Sequence, residues 1–303
     1  MIGVLGAGAF GTALAVALAR EGRDVTLWGR NAVASGEYPL ILSVTQDAAR
    51  LRAAEVILIA VPMQVLGQVM AEQAAAFGVQ PLIACCKGVD LTTLTGPRAV
   101  IARMQPNAPI GILTGPSFAA DILGGMPTAL TLAYQGADAA DLQAMLSTKT
   151  LRLYHSTDII GAELGGALKN VIAIAAGIVM GAGLGASARA ALMSRGFAEM
   201  QRMALAHGGR TETLVGLSGL GDLVLTCGSG SRNYQYGFAR GEGRPFDPKI
   251  TIEGVATAKA VSNMAKTMGI EMPITQMVAA LLDGEIELDF AISALMSRPL
   301  KKE

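Results

Sequence analysis

Aromatic residues, histidine and cysteine are all scarce in this 303-residue chain, which has 7 Phe, 5 Tyr, 1 Trp, 2 His and 3 Cys. The cysteines, Cys85, Cys86 and Cys227, are odd in number, and two of them are adjacent, so they alternate faces if they lie on a strand. Neither a disulfide framework nor a Cys-x-x-Cys metal or redox site follows from them, and no metal site is expected. His155 and His207 are too few for a His-rich metal centre, and His207 stands before Gly208-Gly209, which reads as a helix end. An excess of either charge is missing too: 24 basic residues balance 24 acidic ones. That balance excludes a general nucleic-acid binder, which needs a basic face, but not a small anionic substrate, for which a few local cations suffice. The start, Met1-Ile2-Gly3-Val4, lacks a basic segment ahead of an apolar one, so a secretory signal is not expected and the cytoplasm is the default location. Long apolar runs are reduced to one, Val171 to Ala188, 18 residues without a charge. It just reaches membrane-spanning length, but Gly177, Gly181, Gly183 and Gly185 crowd its second half and no second span exists to pack on it. A buried helix is the expectation, and an integral membrane protein is not.

What the chain has in excess is small apolar residues: 51% of it is hydrophobic and 37 residues are glycine. At about 150 residues per domain its length suggests two domains. Up to about residue 158, short β-branched runs alternate with Ala-rich helical segments. Strands are expected at Ile2–Leu5, Asp24–Trp28, Val56–Val61, Leu82–Cys86, Ile110–Thr114 and Ala129–Tyr134, with helices at Gly11–Arg20, Gln64–Ala76, Thr95–Met104 and Ala137–Leu146. This alternation predicts a doubly wound parallel sheet covered on both faces. Beyond Asp158 the strands stop. Helical periodicity runs from Ile159 to about Ala206 and returns at Gly254–Met268 and Thr275–Leu282, with Gly216–Arg244 reading as a Gly-rich interruption. A domain of residues 1–155 is therefore expected ahead of an all-helical one of residues 156–303.

Gly6-Ala7-Gly8-Ala9-Phe10-Gly11 fits G-x-G-x-x-G between a strand and a helix, the context that a dinucleotide fingerprint requires. Phosphates would rest on the helix N-terminus, where free N–H groups and the dipole favour anions; a tight structural turn is the alternative. About 20 residues on, where an acidic residue would hold a ribose, stand Gly29 and Arg30. A guanidinium there suits a 2′-phosphate, which favours NADP(H) while admitting NAD(H); a solvated loop arginine is the other reading. Lys87-Gly88 and Gly115-Pro116-Ser117-Phe118 both follow strands, at the carboxyl edge where open α/β sheets bind ligands. Ser117 is outside any Gly-x-Ser-x-Gly elbow, which argues against a hydrolase nucleophile. Lys169 stands between Gly165-Gly166-Ala167-Leu168 and the uncharged run. It is either snorkelling at the rim of a buried helix or placed for acid–base chemistry, for which desolvation lowers its pKa. Gly219-Leu220-Gly221-Asp222 and Gly228-Ser229-Gly230-Ser231-Arg232-Asn233 form a polar loop in which Arg232 could clamp a phosphate, or which simply connects helices.

In these motifs and their order the chain resembles the NAD(P)-dependent glycerol-3-phosphate dehydrogenases of bacterial type. The resemblance rests on Gly6–Gly11, Cys86-Lys87-Gly88, Gly115-Pro116-Ser117-Phe118-Ala119, Gly165–Asn170, Gly219–Asp222, Ser231-Arg232-Asn233, Ile252-Glu253-Gly254 and the ending Met296-Ser297-Arg298-Pro299-Leu300. It implies a Rossmann-type domain followed by a helical domain like the C-terminal domain of 6-phosphogluconate dehydrogenase. It also implies reversible reduction of dihydroxyacetone phosphate to sn-glycerol 3-phosphate for phospholipid synthesis. By this resemblance Lys169 is the proton donor and acceptor, while Lys87, Asn170, Asp222 and Thr226 order or polarise the reacting centre. Gly115 and Ser117 touch substrate, and Ser231, Arg232 and Asn233 hold its phosphate. Gly6, Gly8, Ala9, Phe10, Gly11, Arg30, Lys87, Ala119, Arg232 and Glu253 contact the cofactor. A homodimer is left open.

Two departures stand out: the segment between Arg30 and Val56 is shorter than in the family, with Gly36-Glu37-Tyr38-Pro39 in place of a longer stretch, and the loop from Asp222 to Ser231 is about one residue shorter. A 6-phosphogluconate- or ketopantoate-type reductase shares the two-domain plan but leaves Ser231-Arg232-Asn233 unexplained. A non-catalytic dinucleotide sensor has no need of both Lys87 and Lys169.

Overall fold

The fold is described from a computed structural model, for residues 1–31, 39 and 41–296. Eight strands form one sheet: β1 (Ile2–Leu5), β2 (Val25–Trp28), β3 (Leu42–Thr45), β4 (Val56–Ile59), β5 (Leu82–Ala84), β6 (Ile110–Thr114), β7 (Thr128–Ala133) and β8 (Leu151–Ser156). Their order is β3-β2-β1-β4-β5-β6-β7-β8. The chain reverses its direction of travel across the sheet between β1 and β4, so a crevice opens at the carboxyl ends of those strands. Strands β1, β2, β4 and β5 are buried at every residue, as strands covered on both faces must be.

The sheet departs from the fully parallel expectation at one place: β6 pairs antiparallel with β7, Thr114 opposite Thr131, while every other pair is parallel. Two strands were also not anticipated. Strand β3 is a four-residue edge strand following the shortened segment, and β8 shows a strand's alternation, Leu151 and Leu153 buried and Arg152 and Tyr154 exposed, but only at the end of the α/β pattern. Helices α1 (Ala9–Arg20), α2 (Met63–Gln73), α3 (Pro97–Met104), α4 (Ala119–Leu123) and α5 (Ala139–Leu146) connect the strands.

The helical part begins at Asp158, whose carboxylate accepts the Gly161 N–H at 2.9 Å and so caps α6 (Ile159–Gly181). Helix α7 (Gly185–Ala206), α8 (Thr211–Val215), α9 (Asp222–Thr226), α10 (Arg232–Gly241), α11 (Glu253–Met268), α12 (Pro273–Leu282) and α13 (Leu288–Met296) follow. The stretch 216–244, expected to be an interruption, is largely helical: a π-turn over Leu217–Gly221, then α9 and α10. Its glycines serve packing. Gly177 and Gly181 of α6 face Gly237 and Gly241 of α10, and a Cβ on any of the four would overlap backbone of the opposite helix. Small residues four apart on both partners let two backbones touch. Glu199 of α7 is buried beneath α12 and accepts the Ile274 and Thr275 N–H groups at 2.6 and 3.1 Å, doing for that helix what Asp158 does for α6.

The 18-residue apolar run is divided. Helix α6 ends at Gly181, Gly183 takes φ +74°, and α7 starts at Gly185. Helix α6 is long and apolar enough to cross a membrane, but 89% of its most apolar window is buried inside the protein, under α7, α10 and α11. Because the helix starts ten residues before Lys169, that lysine lies at its middle and not at a polar end. Snorkelling is thereby excluded: Lys169 is 5% exposed.

Candidate functional site

The glycine loop between β1 and α1 opens at the N-terminus of α1. Gly6 has φ +122°, a conformation that L side chains rarely adopt, and its N–H donates to the Trp28 carbonyl at 2.8 Å, which fixes the turn to β2. Gly11 lies against the Gly6 carbonyl with no room for a Cβ. Gly8 is different: a Cβ there would meet nothing within 4 Å, and Ala7, Gly8 and Ala9 are exposed at the start of a helix with no acidic residue in its first turn. The three glycines thus divide the work of turn, open approach and close packing, which fits a dinucleotide pyrophosphate. Phe10 is partly buried against the neighbouring core, and Arg30 is exposed just beyond β2. Of the segment where the chain is shortened, residues 32–38 and 40 lie outside the described residues, as do residues 297–300 of the C-terminal motif.

Across the crevice, strand β5 and helices α6 and α9 bring three charges together. The Asp222 carboxylate is fully buried; one oxygen accepts from Lys87 Nζ at 2.7 Å and the other from Lys169 Nζ at 2.5 Å. Lys169 Nζ also donates to Thr226 Oγ1 at 2.7 Å, one turn after Asp222 on α9. Lys87 Nζ has a second acceptor, the Gly115 carbonyl, at 3.2 Å. Gly115, with φ +139°, turns that carbonyl toward the lysine and also receives the Ser117 hydroxyl at 3.3 Å. Burial pushes the Lys169 ammonium down to about 8; Asp222 opposes the shift and Lys87 adds to it.

A second cluster lies beside the first, at the N-termini of α10 and α11. Asn233 donates from Nδ2 to Asn170 Oδ1 at 3.0 Å and accepts the Gly254 N–H at 2.9 Å. Ser231 caps α10, its Oγ accepting the Tyr234 N–H at 3.4 Å, and Arg232, the first helical residue, is exposed. Burial raises the Glu253 carboxyl, and Lys87, Arg232 and Lys169 pull it back, which puts this residue within the field of all three cations. Ala119 opens the short helix α4 beyond Ser117.

The structure therefore joins Lys87, Lys169, Asp222, Thr226, Gly115 and Ser117 in one hydrogen-bonded network, with Asn170, Asn233 and Glu253 beside it. The two histidines fall elsewhere, bonded to the carbonyls of Tyr134 and Met203. Two residues beside the lysines were given no role of their own from sequence. Thr114 carries a buried hydroxyl at the end of β6, and Gly166 on α6 faces it. The signal was Thr114's place, the last strand residue before a glycine turn. An apolar cavity of about 170 Å³ between α6, α7, α12 and α13 presents one charged residue, Arg195, and no acid–base group. Its chemistry is that of a core gap.

Comparison with known proteins agrees with this geometry. Residues 1–38 and 33–140 match the family described as NAD-dependent glycerol-3-phosphate dehydrogenase N-terminus, and residues 158–293 match its C-terminus. Curated relatives called glycerol-3-phosphate dehydrogenase [NAD(P)+] include one from Cereibacter sphaeroides, 60% identical with all of both chains covered, and one from Paracoccus denitrificans, 56% identical over all of this chain and 99% of its own. The crystal structure of glycerol-3-phosphate dehydrogenase from Coxiella burnetii superposes with a TM-score of 0.91 at 35% identity, covering 98% of each chain. A ketopantoate reductase from Ralstonia eutropha shares the fold alone, with a TM-score of 0.62 at 16% identity. With both family halves matched along nearly its whole length, the chain belongs to the NAD-dependent glycerol-3-phosphate dehydrogenases, oxidoreductases that use NAD or NADP.

Proposed function

We propose that this protein catalyses the reversible reduction of dihydroxyacetone phosphate to sn-glycerol 3-phosphate, with Lys169 as general acid and base. The observation that carries the reading is the buried Lys169 ammonium, shifted to about 8 and held at 2.5 Å by Asp222. A lysine so tuned exchanges a proton near neutral pH, which an exposed lysine does not. A bound nicotinamide supplies or removes the hydride at the carbonyl carbon. Lys169 gives its proton to the carbonyl oxygen as that oxygen becomes a hydroxyl, and takes it back in the oxidative direction. Lys87 places a second positive charge where negative charge develops on the oxygen. Asp222 keeps both ammonium groups in place, and Thr226 fixes Lys169 from the other side.

Ser231, Arg232 and Asn233 bind the substrate phosphate at the N-terminus of α10, where free N–H groups and a guanidinium favour an anion. Gly115, Ser117 and Asn170 border the reacting carbons. Gly6, Gly8, Ala9, Phe10, Gly11, Ala119, Arg232 and Glu253 hold the dinucleotide together with Arg30, whose exposed guanidinium beside the nucleotide loop favours NADP(H) over NAD(H). Residues 1–155 form the nucleotide domain and residues 156–303 the catalytic one. The product feeds phospholipid synthesis in the cytoplasm, and a homodimer is the assembly to test.

Oxidation of NADPH and NADH by dihydroxyacetone phosphate, followed for wild type and Lys169→Ala, tests this function. The variant loses about 10²–10⁴-fold in kcat. A variant as fast as wild type, or no turnover with either cofactor, overturns it. In Arg30→Ala the NADPH preference falls; an unchanged preference removes Arg30 from cofactor selection.

A further inference from the structure

Among the described residues, two buried polar atoms beside the lysines have no hydrogen-bond partner: the hydroxyl of Thr114 and the amide nitrogen of Asn170. The residues are 2% and 3% exposed, so bulk water does not serve them. A buried polar group without a partner destabilises a fold, and such atoms are few in native proteins. Here both lie beside the lysines. Thr114 ends β6, immediately before Gly115, the residue whose carbonyl receives Lys87. Facing it on α6 is Gly166: a Cβ there would stand 2.6 Å from Thr114 Oγ1 and 3.6 Å from Lys87 Cγ. Gly166 is three residues before Lys169 and four before Asn170, so all three share one side of the helix. Thr114 thus faces α6 about one helical turn before Asn170. A ligand hydroxyl that reaches both would partner two otherwise unsatisfied buried groups.

The substrate has three polar groups. Its phosphate belongs at the N-terminus of α10 and its carbonyl at Lys169 and Lys87, which leaves the free hydroxyl on the carbon next to the carbonyl. That group accepts and donates. It can accept from Asn170 Nδ2, whose amide oxygen is already occupied by Asn233, and donate to Thr114 Oγ1. We propose that Thr114 is a specificity-determining residue of this site, pairing together with Asn170 the substrate hydroxyl that flanks the reacting carbonyl. The inference rests on dihydroxyacetone phosphate being the substrate. It accounts for the absent side chain at Gly166, where a methyl group would press on the Thr114 hydroxyl.

The test compares dihydroxyacetone phosphate with hydroxyacetone phosphate, the same ketone phosphate with a methyl in place of the hydroxymethyl group. For wild type, Thr114→Val and Thr114→Ser, one measures kcat/KM for the first compound and the inhibition constant of the second as a competitor. Thr114→Val lowers kcat/KM for dihydroxyacetone phosphate by about tenfold, as the loss of one neutral hydrogen bond does. It leaves the inhibition constant of the methyl compound unchanged, and Thr114→Ser restores most of the loss. The thermal midpoint of Thr114→Val does not fall, because the hydroxyl it removes had no partner. Equal weakening of both compounds, no effect on either, or a fall in thermal midpoint overturns the assignment. Wild type that turns over no dihydroxyacetone phosphate overturns the proposed function, and this inference with it; normal turnover with equal weakening overturns this inference alone.

Discussion

Lys87 and Lys169 hold opposite oxygens of a single carboxylate, that of Asp222, at 2.7 and 2.5 Å. One lysine follows a strand and the other sits mid-helix, 82 positions later in the chain, so the carboxylate is one point at which sheet and helices are tied. Two cations of like sign this close repel each other, and the fully buried carboxylate between them offsets that repulsion.

Asp222→Asn removes that anion and keeps the shape. The buried Lys169 ammonium and the part-buried Lys87 lose their shared counter-charge, which costs about 3–5 kcal/mol. Chemical denaturation of wild type and variant measures it, and kcat falls together with stability. A variant as stable as wild type would show that the carboxylate does not hold the pair.

The pH dependence has a definite sign. With Lys169 as the proposed acid, ketone reduction needs its protonated form, and burial brings that lysine down to about 8. Reduction therefore declines as pH rises through about 8, and oxidation of glycerol 3-phosphate declines as pH falls through the same value. Because Asp222 raises the lysine's pKa, any residual activity of Asp222→Asn shows this limb at lower pH. Profiles of kcat/KM in both directions read it directly.

The glycines of the nucleotide loop separate folding from binding. Gly11→Ala drives a methyl into the Gly6 carbonyl and lowers stability by about 1–3 kcal/mol. Gly8→Ala meets no protein atom and has an ordinary backbone conformation, φ −79°, so its melting temperature matches wild type. Its methyl occupies the approach of the pyrophosphate, and the cofactor KM rises about tenfold, equivalent to about 1.4 kcal/mol. Calorimetry and cofactor titration separate the two effects.

Much of this was legible in the residues. The runs Ile2–Leu5, Val56–Val61 and Ile110–Thr114 announce strands because burial on both faces demands mostly apolar or small side chains. The glycine spacing at Gly6, Gly8 and Gly11 is local, since its three functions act within one strand–turn–helix. Less legible was 216–244, where abundant glycine suggests a loop. In helix α10 those same residues allow backbone contact with α6, a tertiary reason that no local propensity carries. The antiparallel pairing of β6 with β7 was hidden likewise, because a buried strand reads alike in either direction.

Sequence by itself determined which chemical groups are available: one lysine ahead of an uncharged helical run, a second after a strand, and a polar loop carrying Ser231, Arg232 and Asn233. Tertiary structure alone decided what these groups do to one another. Lys169 borders an uncharged run, yet only the fold shows that helix α6 continues ten residues ahead of it and closes it off from water. Its pKa follows from that burial and from Asp222, 53 residues away in the chain. The orphaned hydroxyl of Thr114 is invisible to sequence for the same reason: whether a polar atom has a partner depends on what lies across the cleft.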